Sequence, residues 1–511
     1  MKKIVLVQPA YYSETRPYFG LPLSLLGISR ILDSEGYQIK ILNHTIEKDF
    51  PDIVVKEAKG AICVGITSIT GYAIHDGLLV AKRIRQDYPG LPIVWGGWHP
   101  SILPKETAEN EFVDIVVKGQ GERTFTELVH ALEKKKNLKN ISGIVYKDKK
   151  GKVIENPDRP LESLDNFPPI PFHLVDIEKF IFPLEYGGKR FLHYYSSYGC
   201  PFRCSFCVEQ IVNKGHWVGL SPENTVKEIL SLKKKYKIDS ISFADTNFFI
   251  NEERARKFSQ GLIKNKANIT WASCGRTRQM SAYSQETWQL MHDSGLRALL
   301  IGTESGDDET LKYMHKDITV SDTLKFTDLC RKYGVKIFSS FLMGFPKTGK
   351  PGDCFASVEK EIKDAFKLVE KMHKINPWTR TMFSLYLPYP STVLFETSRK
   401  FGLGIPKTLE DWSSYLISAE DAYKMKIRQK WVSRQQAKKI LMSSMYLFFF
   451  LDPDGYFLAT GKIKNMWLKI FSTIGFYIFK TLAMLRWKYK YFGLPIDFYL
   501  FNFLRKYSQL A

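Results

Sequence analysis

Three cysteines within eight residues, in the stretch "SSYGCPFRCSFC", carry the clearest chemical signal of the sequence. Cys200, Cys204 and Cys207 have the spacing C-x3-C-x2-C. On one loop, this spacing lets three thiolates bind one face of a cubane iron–sulfur cluster and leaves one iron without a protein ligand. That iron can chelate a small molecule through an amine and a carboxylate. A structural zinc ion would need a fourth ligand, and neither His193 nor His216 has a zinc-finger spacing.

The other four cysteines, Cys63, Cys274, Cys330 and Cys354, are scattered singly in apolar or helical surroundings. Such positions usually hold buried, reduced thiols, so the sequence predicts no disulfide framework. This usage is typical of a reducing cytoplasm, where we expect the protein to be located.

The chain of 511 residues has a formal net charge of +21, which requires a partner or an explanation. Nucleic acid, anionic lipid and plain solubility all compete to explain such a charge. No helix-turn-helix, zinc-finger or RNA-binding signature accompanies it, so we expect no nucleic-acid partner. The length indicates about three domains.

Residues 1–140 alternate short apolar strands with amphipathic helices. This alternation is typical of a parallel sheet covered on both faces, so we expect a Rossmann-like doubly wound α/β domain. In such sheets, ligands bind beyond the carboxyl ends of the strands. The strands are expected at residues 3–9, 38–44, 61–67, 92–97 and 114–119.

Small and polar residues follow the carboxyl ends of three of these strands. Glycine lets a ligand approach the backbone closely, and neighbouring polar groups can hold it. Ordinary turns between strand and helix are the alternative explanation. The residues concerned are Thr67, Ser68, Gly96, Gly97, Gly119, Gly121 and Glu122.

A second alternation of strands and helices occupies residues 191–400, after a proline-rich connector at 141–190 that lacks periodicity. Six strands are expected, fewer than the eight of a closed barrel, so we predict a partial (β/α)6 barrel. The three cysteines then follow its first strand, on the face where barrel enzymes carry their chemistry. Ser221 is expected to cap the helix that begins after it.

The last region, residues 401–511, is predicted to be helical and is rich in aromatic and basic residues. Lys469 and Lys480 interrupt its most apolar run, so no stretch of about 20 apolar residues can span a membrane. Two interpretations remain. The helices pack on the barrel, or they form an amphipathic surface that contacts anionic lipid at the periphery of a membrane.

With Phe206 at the aromatic position, the cysteine motif resembles the signature of the radical S-adenosylmethionine (SAM) superfamily. Four further stretches resemble strand motifs of one branch: 241–251, 295–319, 341–349 and 385–395. This branch carries an amino-terminal cobalamin-binding domain, and it includes the anaerobic magnesium-protoporphyrin monomethyl ester cyclase. "WGGWHPSILP" and "VVKGQGERTFTEL" resemble that cobalamin domain.

The resemblance implies three cofactors: a [4Fe-4S] cluster on the three cysteines, SAM, and cobalamin at the strand ends of the first domain. The motif D-x-H-x-x-G, which supplies an axial histidine in other cobalamin proteins, is absent. His99 follows the fourth strand and is in the wrong place for that role. The resemblance therefore implies cobalamin bound without histidine ligation.

The resemblance also assigns residues to SAM. The backbone near Phe206 is expected to contact the adenine, and "MGFP", with Gly344, to form a wall close to it. Asp245 and Thr246 end the second barrel strand, where relatives bind the methionine amine.

Candidates for the carboxylate and ribose of SAM follow the next two strands. They are Arg276 or Arg278 after the third strand and Glu304 at the end of the fourth. Glu304 has an alternative role as the cap of the helix that begins near Asp307.

The resemblance implies a reaction in which a 5′-deoxyadenosyl radical takes hydrogen from an unactivated carbon. Methylation by way of cobalamin is the first hypothesis, and radical cyclisation or carbon–carbon bond formation is the second. An external electron donor such as flavodoxin or ferredoxin is implied. The aromatic composition favours an apolar, lipid-like substrate, enclosed by residues 388–395 and the carboxy-terminal helices.

Three other classes of protein compete with this one. An RNA methylthiotransferase would explain the charge, but such enzymes carry three additional amino-terminal cysteines, and only Cys63 precedes residue 200 here. A non-enzymatic binding module would keep the fold but would not need the intact cysteine motif. The third is a membrane-surface binding protein in which the carboxy-terminal helices dominate.

Overall fold

The computed structural model of the chain describes residues 2–11, 20–47, 49–184, 188–347, 351–415, 429–452, 455–456, 466–493 and 496–507. Two α/β units follow one another along the chain, and a helical region follows them. The predicted fold class is confirmed.

The first unit is built on one mixed sheet, whose strand order is β2-β1-β3-β4-β5-β6-β7. The first five strands are parallel, and their order 2-1-3-4-5 is one of the two common doubly wound arrangements. The strands are β1 (Lys3–Gln8), β2 (Gln38–Asn43), β3 (Ala61–Thr67), β4 (Ile93–Gly96), β5 (Ile115–Val117), β6 (Ile144–Lys147) and β7 (Val153–Glu155).

Helices cover both faces of this sheet, because its strands are apolar on both sides. The first and last of them pack together on one face, and the second and third pack together on the other. They are α1 (Leu23–Ser34), α2 (Phe50–Ala58), α3 (Tyr72–Asp87), α4 (Trp98–Ile102), α5 (Pro104–Glu109) and α6 (Glu122–Glu133).

The region predicted as a connector holds secondary structure of its own. Strands β6 and β7 form an antiparallel hairpin on the edge of the first sheet. Beyond the hairpin, Phe167, Ile170 and Phe172 are buried in an apolar core that both units share. The hairpin's short strands carry no clear alternation, which explains why periodicity did not reveal them.

The second unit is an open half-barrel, in which β9 and β12 to β16 run parallel and β8 pairs antiparallel with β9. Its parallel strands agree with the six predicted. A separate ribbon joins β10 to β11. The strands are β8 (Phe182–Leu184), β9 (Gly188–Tyr194), β10 (Ser197–Gly199), β11 (Trp217–Gly219), β12 (Ser240–Phe243), β13 (Thr270–Gly275), β14 (Leu296–Glu304), β15 (Lys336–Met343) and β16 (Thr379–Leu385).

Helices pack outside the half-barrel and continue to the carboxyl end. Ser221 caps α8 as predicted, since its hydroxyl accepts a hydrogen bond from the backbone N–H of Asn224 at 3.3 Å. The helices are α7 (Glu209–Val212), α8 (Pro222–Tyr236), α9 (Glu252–Lys264), α10 (Thr277–Ser281), α11 (Gln285–Asp293), α12 (Asp308–Tyr313), α13 (Val320–Lys332), α14 (Cys354–Ile375), α15 (Val393–Lys400), α16 (Leu409–Ser413), α17 (Arg434–Met445), α18 (Met466–Tyr489) and α19 (Ile496–Tyr507).

The carboxy-terminal region divides into a packed part and an exposed part. Helix α17 lies against β16, and the side chains of Trp431 and Tyr446 are wholly buried beside it. Helix α18, in contrast, leaves many large apolar side chains exposed. None of the helices in the described ranges combines the length and the apolar character needed to cross a membrane.

Candidate active site

The loop that carries the three cysteines is fixed at several points. It follows β9, and the β10–β11 ribbon closes its base through the pair Ser197–Gly219. The side-chain amide of Gln210 donates to the carbonyl of Cys200 at 3.1 Å. The backbone N–H of Ser205 donates to the carbonyl of Met314 at 2.9 Å. These bonds hold the loop over the open end of the half-barrel.

All three cysteines line one cavity of about 380 Å³ in the half-barrel. Four of the residues predicted to bind SAM line it too: Phe206, Thr246, Arg276 and Glu304. The sequence thus brought together residues that lie up to about a hundred positions apart, because parallel strands end at the same edge.

The surroundings of the sulfur atoms fit an anionic metal–thiolate centre. Backbone N–H groups of Phe202 and Glu209 face the thiols of Cys200 and Cys207, an arrangement that favours thiolates. Burial outweighs this effect and raises the pKa of Cys207 to about 12. Binding of a cluster must therefore displace protons. No three His, Cys, Asp or Glu side chains in the described ranges are arranged to hold a single metal ion.

Arg276 supplies positive charge next to the cysteines. Its Nη1 lies 3.5 Å from Sγ of Cys204, and its guanidinium stacks on the ring of Phe202 at 3.7 Å. Arg278 points elsewhere: its Nη1 donates to the carbonyl of Asp317 at 3.4 Å, outside the cavity. The geometry therefore favours Arg276 of the two predicted alternatives.

Glu304 faces the cavity in a strained conformation. Its φ of 61° is in the left-handed region, and the pairing of β14 with β15 shifts register between Gly302 and Glu304. Its Oε1 lies 2.9 Å from Nζ of Lys316, which is buried. A Cβ on Gly302 would occupy the space of this pair. The capping role belongs to Asp307 instead, whose carboxylate accepts from Thr310 N–H.

Three of the predicted SAM residues do not line the cavity: Arg278, Asp245 and Gly344. The buried carboxylate of Asp245 accepts hydrogen bonds from the backbone N–H of Ser196 and the hydroxyls of Ser196 and Ser197, at 2.6 to 2.7 Å. Asp245 thus anchors the start of the cysteine loop. The backbone groups of Gly344 are also hydrogen-bonded within the protein: its N–H donates to Glu361, and its carbonyl accepts from Trp431.

A second cavity, of about 450 Å³, lies at the carboxyl edge of the first sheet. Tyr198, Val212, Asn213 and Ala244 of the second unit form its other side. Of the seven residues predicted to bind cobalamin, Ser68 is buried and does not line it. The other six line it: Thr67, Gly96, Gly97, Gly119, Gly121 and Glu122.

The polar groups of this cavity fit a large ligand with amide groups. Oε2 of Glu122 is buried without a hydrogen-bond partner, while its Oε1 accepts from the hydroxyl of Tyr198 at 3.0 Å. Gly119 has a φ of 72°, and a Cβ there would meet only the carbonyl of Val212, at 4.0 Å. Histidine is absent from the described lining residues. His99 instead packs on Trp412, and burial lowers its pKa to about 3.

Three polar side chains at or beside the two cavities were not predicted from the sequence. Lys316 lies within the stretch 295–319, but a lysine in a sequence gives no sign that it is buried beside a glutamate. Glu209 follows the cysteines, and its buried carboxylate accepts hydrogen bonds from a residue four positions later and from one on the segment after β12. Arg380 lines the cavity of the three cysteines, hereafter the cluster cavity, and forms a two-point ion pair with Asp452, at 2.6 and 2.7 Å.

Family models match both units of the chain. The radical SAM superfamily matches residues 194–350, and the B12 binding domain matches residues 12–129. The chain is a radical SAM enzyme with a B12-binding domain. Its cofactors are accordingly a [4Fe-4S] cluster, SAM and cobalamin, and the predicted resemblance is confirmed.

The radical SAM enzyme is similar to proteins of more than one activity. An uncharacterized methyltransferase of Pyrococcus horikoshii is 29% identical over 88% of this chain and 93% of that protein. An anaerobic magnesium-protoporphyrin IX monomethyl ester cyclase of Rubrivivax gelatinosus is 25% identical over 77% and 69%, respectively. The fold is similar to that of the cobalamin-dependent S-adenosylmethionine radical enzyme OxsB with aqua-cobalamin bound (TM-score 0.69, 18% identity, 99% of this chain and 76% of that one).

Replacing Gly119 by leucine is expected to weaken cobalamin binding at least about tenfold, because the side chain enters the cavity. Gly151 is a matched control: its φ of 77° is nearly the same, and a Cβ there would meet nothing within 4 Å. Both substitutions should cost about 1–2 kcal/mol of stability through backbone strain. Absorbance titration with hydroxocobalamin should separate them. Equal loss of affinity in Gly119→Leu and Gly151→Leu would exclude the assigned cavity.

Proposed function

We propose that the enzyme transfers a methyl group to an unactivated carbon of a small apolar molecule. The observation that carries this proposal is the junction of the two cavities, which Ala244 and Thr246 of one short segment line on opposite sides. When bound, SAM and the cluster supply the radical that abstracts hydrogen, and cobalamin supplies the methyl group. The uncharacterized methyltransferase of Pyrococcus horikoshii, 93% of whose length aligns with this chain, supports methyl transfer.

The chain's own residues bind and orient the reactants. Arg276 and Lys316 provide positive charge for the thiolates and for a carboxylate beside them. Glu304 holds Lys316 in place and offers its second oxygen to hydroxyl groups. An external one-electron donor, for which we propose a flavodoxin or ferredoxin, must reach the cluster from outside.

The interior of the half-barrel supports an apolar substrate. Leu300, on the central strand β14, and Met382, on the edge strand β16, are 38% and 46% exposed there. Phe338 and Phe448 add aromatic surface, and the guanidinium of Arg380 lies between them. Because Asp452 neutralises Arg380, this end of the cavity has no free cation for an anionic substrate among the described residues.

The two segments expected to enclose the substrate make different contacts near this cavity. Residues 388–395 lie against the cysteine loop, where the N–H of Leu394 donates to the carbonyl of Ser205 at 3.1 Å. Phe448, from the carboxy-terminal region, does line the cavity. The carboxy-terminal segment therefore takes part in the wall on the substrate side.

The by-products of SAM separate methylation from cyclisation before the substrate is known. The cluster-loaded enzyme is incubated with SAM and a low-potential reductant, with and without cobalamin. Methyl donation converts SAM to S-adenosylhomocysteine, and radical generation converts it to 5′-deoxyadenosine and methionine. We expect at least one equivalent of S-adenosylhomocysteine per bound cobalamin. Release of 5′-deoxyadenosine without cobalamin-dependent S-adenosylhomocysteine would support the cyclase alternative, which the Rubrivivax relative favours.

We also propose that α18 places the enzyme on an anionic membrane surface. Its exposed apolar side chains recur every three or four residues, and Trp467, Phe471 and Ile478 are 66%, 69% and 57% exposed. The helix has no acidic residue but four basic ones, Lys469, Lys480, Arg486 and Lys488. Tryptophan and tyrosine with flanking lysine suit the lipid headgroup region, whereas two basic copies of this helix would repel each other.

The expected result is sedimentation of the full-length enzyme with vesicles that contain phosphatidylserine, and much less with neutral phosphatidylcholine. Phe471→Glu combined with Ile478→Glu should weaken binding at least about tenfold, because two apolar side chains no longer enter the lipid. Leu79→Glu, on a helix of the first unit, is the control for an added charge. Equal sedimentation of all variants, or a concentration-dependent dimer that the double substitution abolishes, would overturn the membrane proposal.

A further inference from the structure

The wall between the two cavities is formed by two short segments. After β12, Ala244 faces the cavity at the carboxyl edge of the first sheet, hereafter the cobalamin cavity, and Thr246 faces the cluster cavity. In the cysteine loop, Cys207 faces the cluster cavity and Asn213 faces the cobalamin cavity. Each segment therefore contributes to the lining of both cavities.

Glu209 joins these segments through a single carboxylate. Its Oε2 accepts a hydrogen bond from Nδ2 of Asn213 at 2.6 Å, and its Oε1 accepts one from the hydroxyl of Thr246. The residue is 4% exposed and lines neither cavity. The carboxylate thus lies inside the wall and touches one lining residue of each cofactor site.

A carboxylate in this position is costly unless its bonds are needed. It makes no ion pair in the part of the chain that the structure describes, and its two donors are neutral. Burial of a charged group with only neutral partners opposes folding. The position of Glu209 is therefore explained by the two hydrogen bonds that its carboxylate accepts, and not by an ion pair.

We propose that Glu209 is a positioning residue that couples the two cofactor sites, so that occupation of one tightens binding at the other. The inference rests on the proposed function, since it concerns the same two cofactors. A ligand that orders Asn213 also orders Glu209 and, through it, Thr246. Binding of the second ligand then causes a smaller loss of conformational entropy. Coupling of this kind is reciprocal and amounts to about 5- to 150-fold.

Fixed relative positions of the two sites matter for group transfer. A misplacement of about 1 Å between reacting partners reduces rates by about a hundredfold. Glu209 restricts such displacement, because the cobalamin-side and SAM-side residues share its two oxygens.

The test is an equilibrium titration of the full-length, cluster-loaded protein with hydroxocobalamin, followed by absorbance, with and without saturating S-adenosylhomocysteine. In the unsubstituted protein, S-adenosylhomocysteine should raise the affinity for hydroxocobalamin at least fivefold. In Glu209→Ala this factor should fall to nearly one. The reverse titration must give the same factor, because binding coupling is reciprocal.

Conservative variants distinguish coupling from loss of structure. In Glu209→Gln, the amide oxygen of the glutamine can accept a hydrogen bond from Thr246. Its amide N–H can donate to Asn213 once the side-chain amide of Asn213 flips and presents its oxygen. Coupling should therefore persist. Asn213→Ala breaks only the cobalamin-side bond and should abolish coupling with the iron content unchanged. It serves as the second variant should Glu209→Ala fail to load the cluster.

Two results would overturn the inference. In the first, S-adenosylhomocysteine changes the affinity of the unsubstituted protein for hydroxocobalamin less than twofold. In the second, the increase in affinity caused by S-adenosylhomocysteine is unchanged in both Glu209→Ala and Asn213→Ala. The proposed function fails separately. If the unsubstituted protein binds no hydroxocobalamin, both proposals are wrong. If it produces cobalamin-dependent S-adenosylhomocysteine and only the coupling is absent, the inference alone is wrong.

Discussion

Cys204→Ser is expected to abolish the iron–sulfur cluster and all release of 5′-deoxyadenosine. Cys204 has the central position of the three and lies beside the guanidinium of Arg276. Serine is a poor ligand for iron in place of a thiolate, and two thiolates cannot retain the cluster with an exchangeable iron. Iron and sulfide analysis after anaerobic reconstitution should show a loss to background levels.

Cys274 is the matched control for this substitution. It lines the same cavity and is half-buried, but it lies on β13, outside the three-cysteine motif. Cys274→Ser should keep the full iron content. The assignment of ligands is refuted if Cys274→Ser loses as much iron as Cys204→Ser, or if Cys204→Ser keeps a cluster that still cleaves SAM.

Arg276→Leu is expected to weaken SAM binding about 10- to 150-fold, since hydrogen bonds to charged groups contribute about 1.5–3 kcal/mol. Its guanidinium lies in the cavity, 3.5 Å from Sγ of Cys204, and its predicted role is to neutralise the carboxylate of SAM. Arg278→Leu removes the same charge two residues away, outside the cavity, and should change the affinity less than twofold.

Binding of S-adenosylhomocysteine to the cluster-loaded protein provides the measurement. Iron content is determined in parallel, so that a loss of the cluster is not mistaken for a loss of affinity. Arg276→Lys should recover part of the affinity. Lysine keeps the positive charge but lacks the several N–H donors of the planar guanidinium. An equal effect of Arg276→Leu and Arg278→Leu would remove the carboxylate assignment.

The fold was predictable because its signals are local: apolar strands separated by helices determine a parallel sheet. The assignment of Cys200, Cys204 and Cys207 as metal ligands stays a prediction, and the structure places all three on one cavity. Six of the residues predicted to bind cobalamin line a second cavity, because they lie at or shortly after strand ends and the carboxyl ends of parallel strands meet at one edge.

The remaining residues depend on contacts between distant segments. Asp245 follows a strand as a ligand-binding residue would, yet Ser196 and Ser197 occupy its carboxylate. Lys316 faces Glu304 only because α12 returns the chain to the barrel mouth. The periodicity of a sequence does not predict which hydrogen-bond partner a buried polar side chain has.

The domain boundaries show a similar limit. Proline and the absence of periodicity identify residues 141–190 as a connection, but the β6–β7 hairpin within it belongs to the first sheet. Short antiparallel strands at a sheet edge need little apolar alternation, because backbone hydrogen bonds hold them in place. The boundaries at 140, 190 and 400 remain predictions.

Electron paramagnetic resonance of the anaerobically reconstituted, reduced enzyme tests whether three cysteines hold a cluster with one iron open to SAM. With four irons per chain, three bound by Cys200, Cys204 and Cys207, addition of SAM should shift the g values of the cluster signal, because SAM binds the remaining iron. A spectrum that SAM leaves unchanged, or one of a single metal ion bound by thiolates, would show that this site is absent.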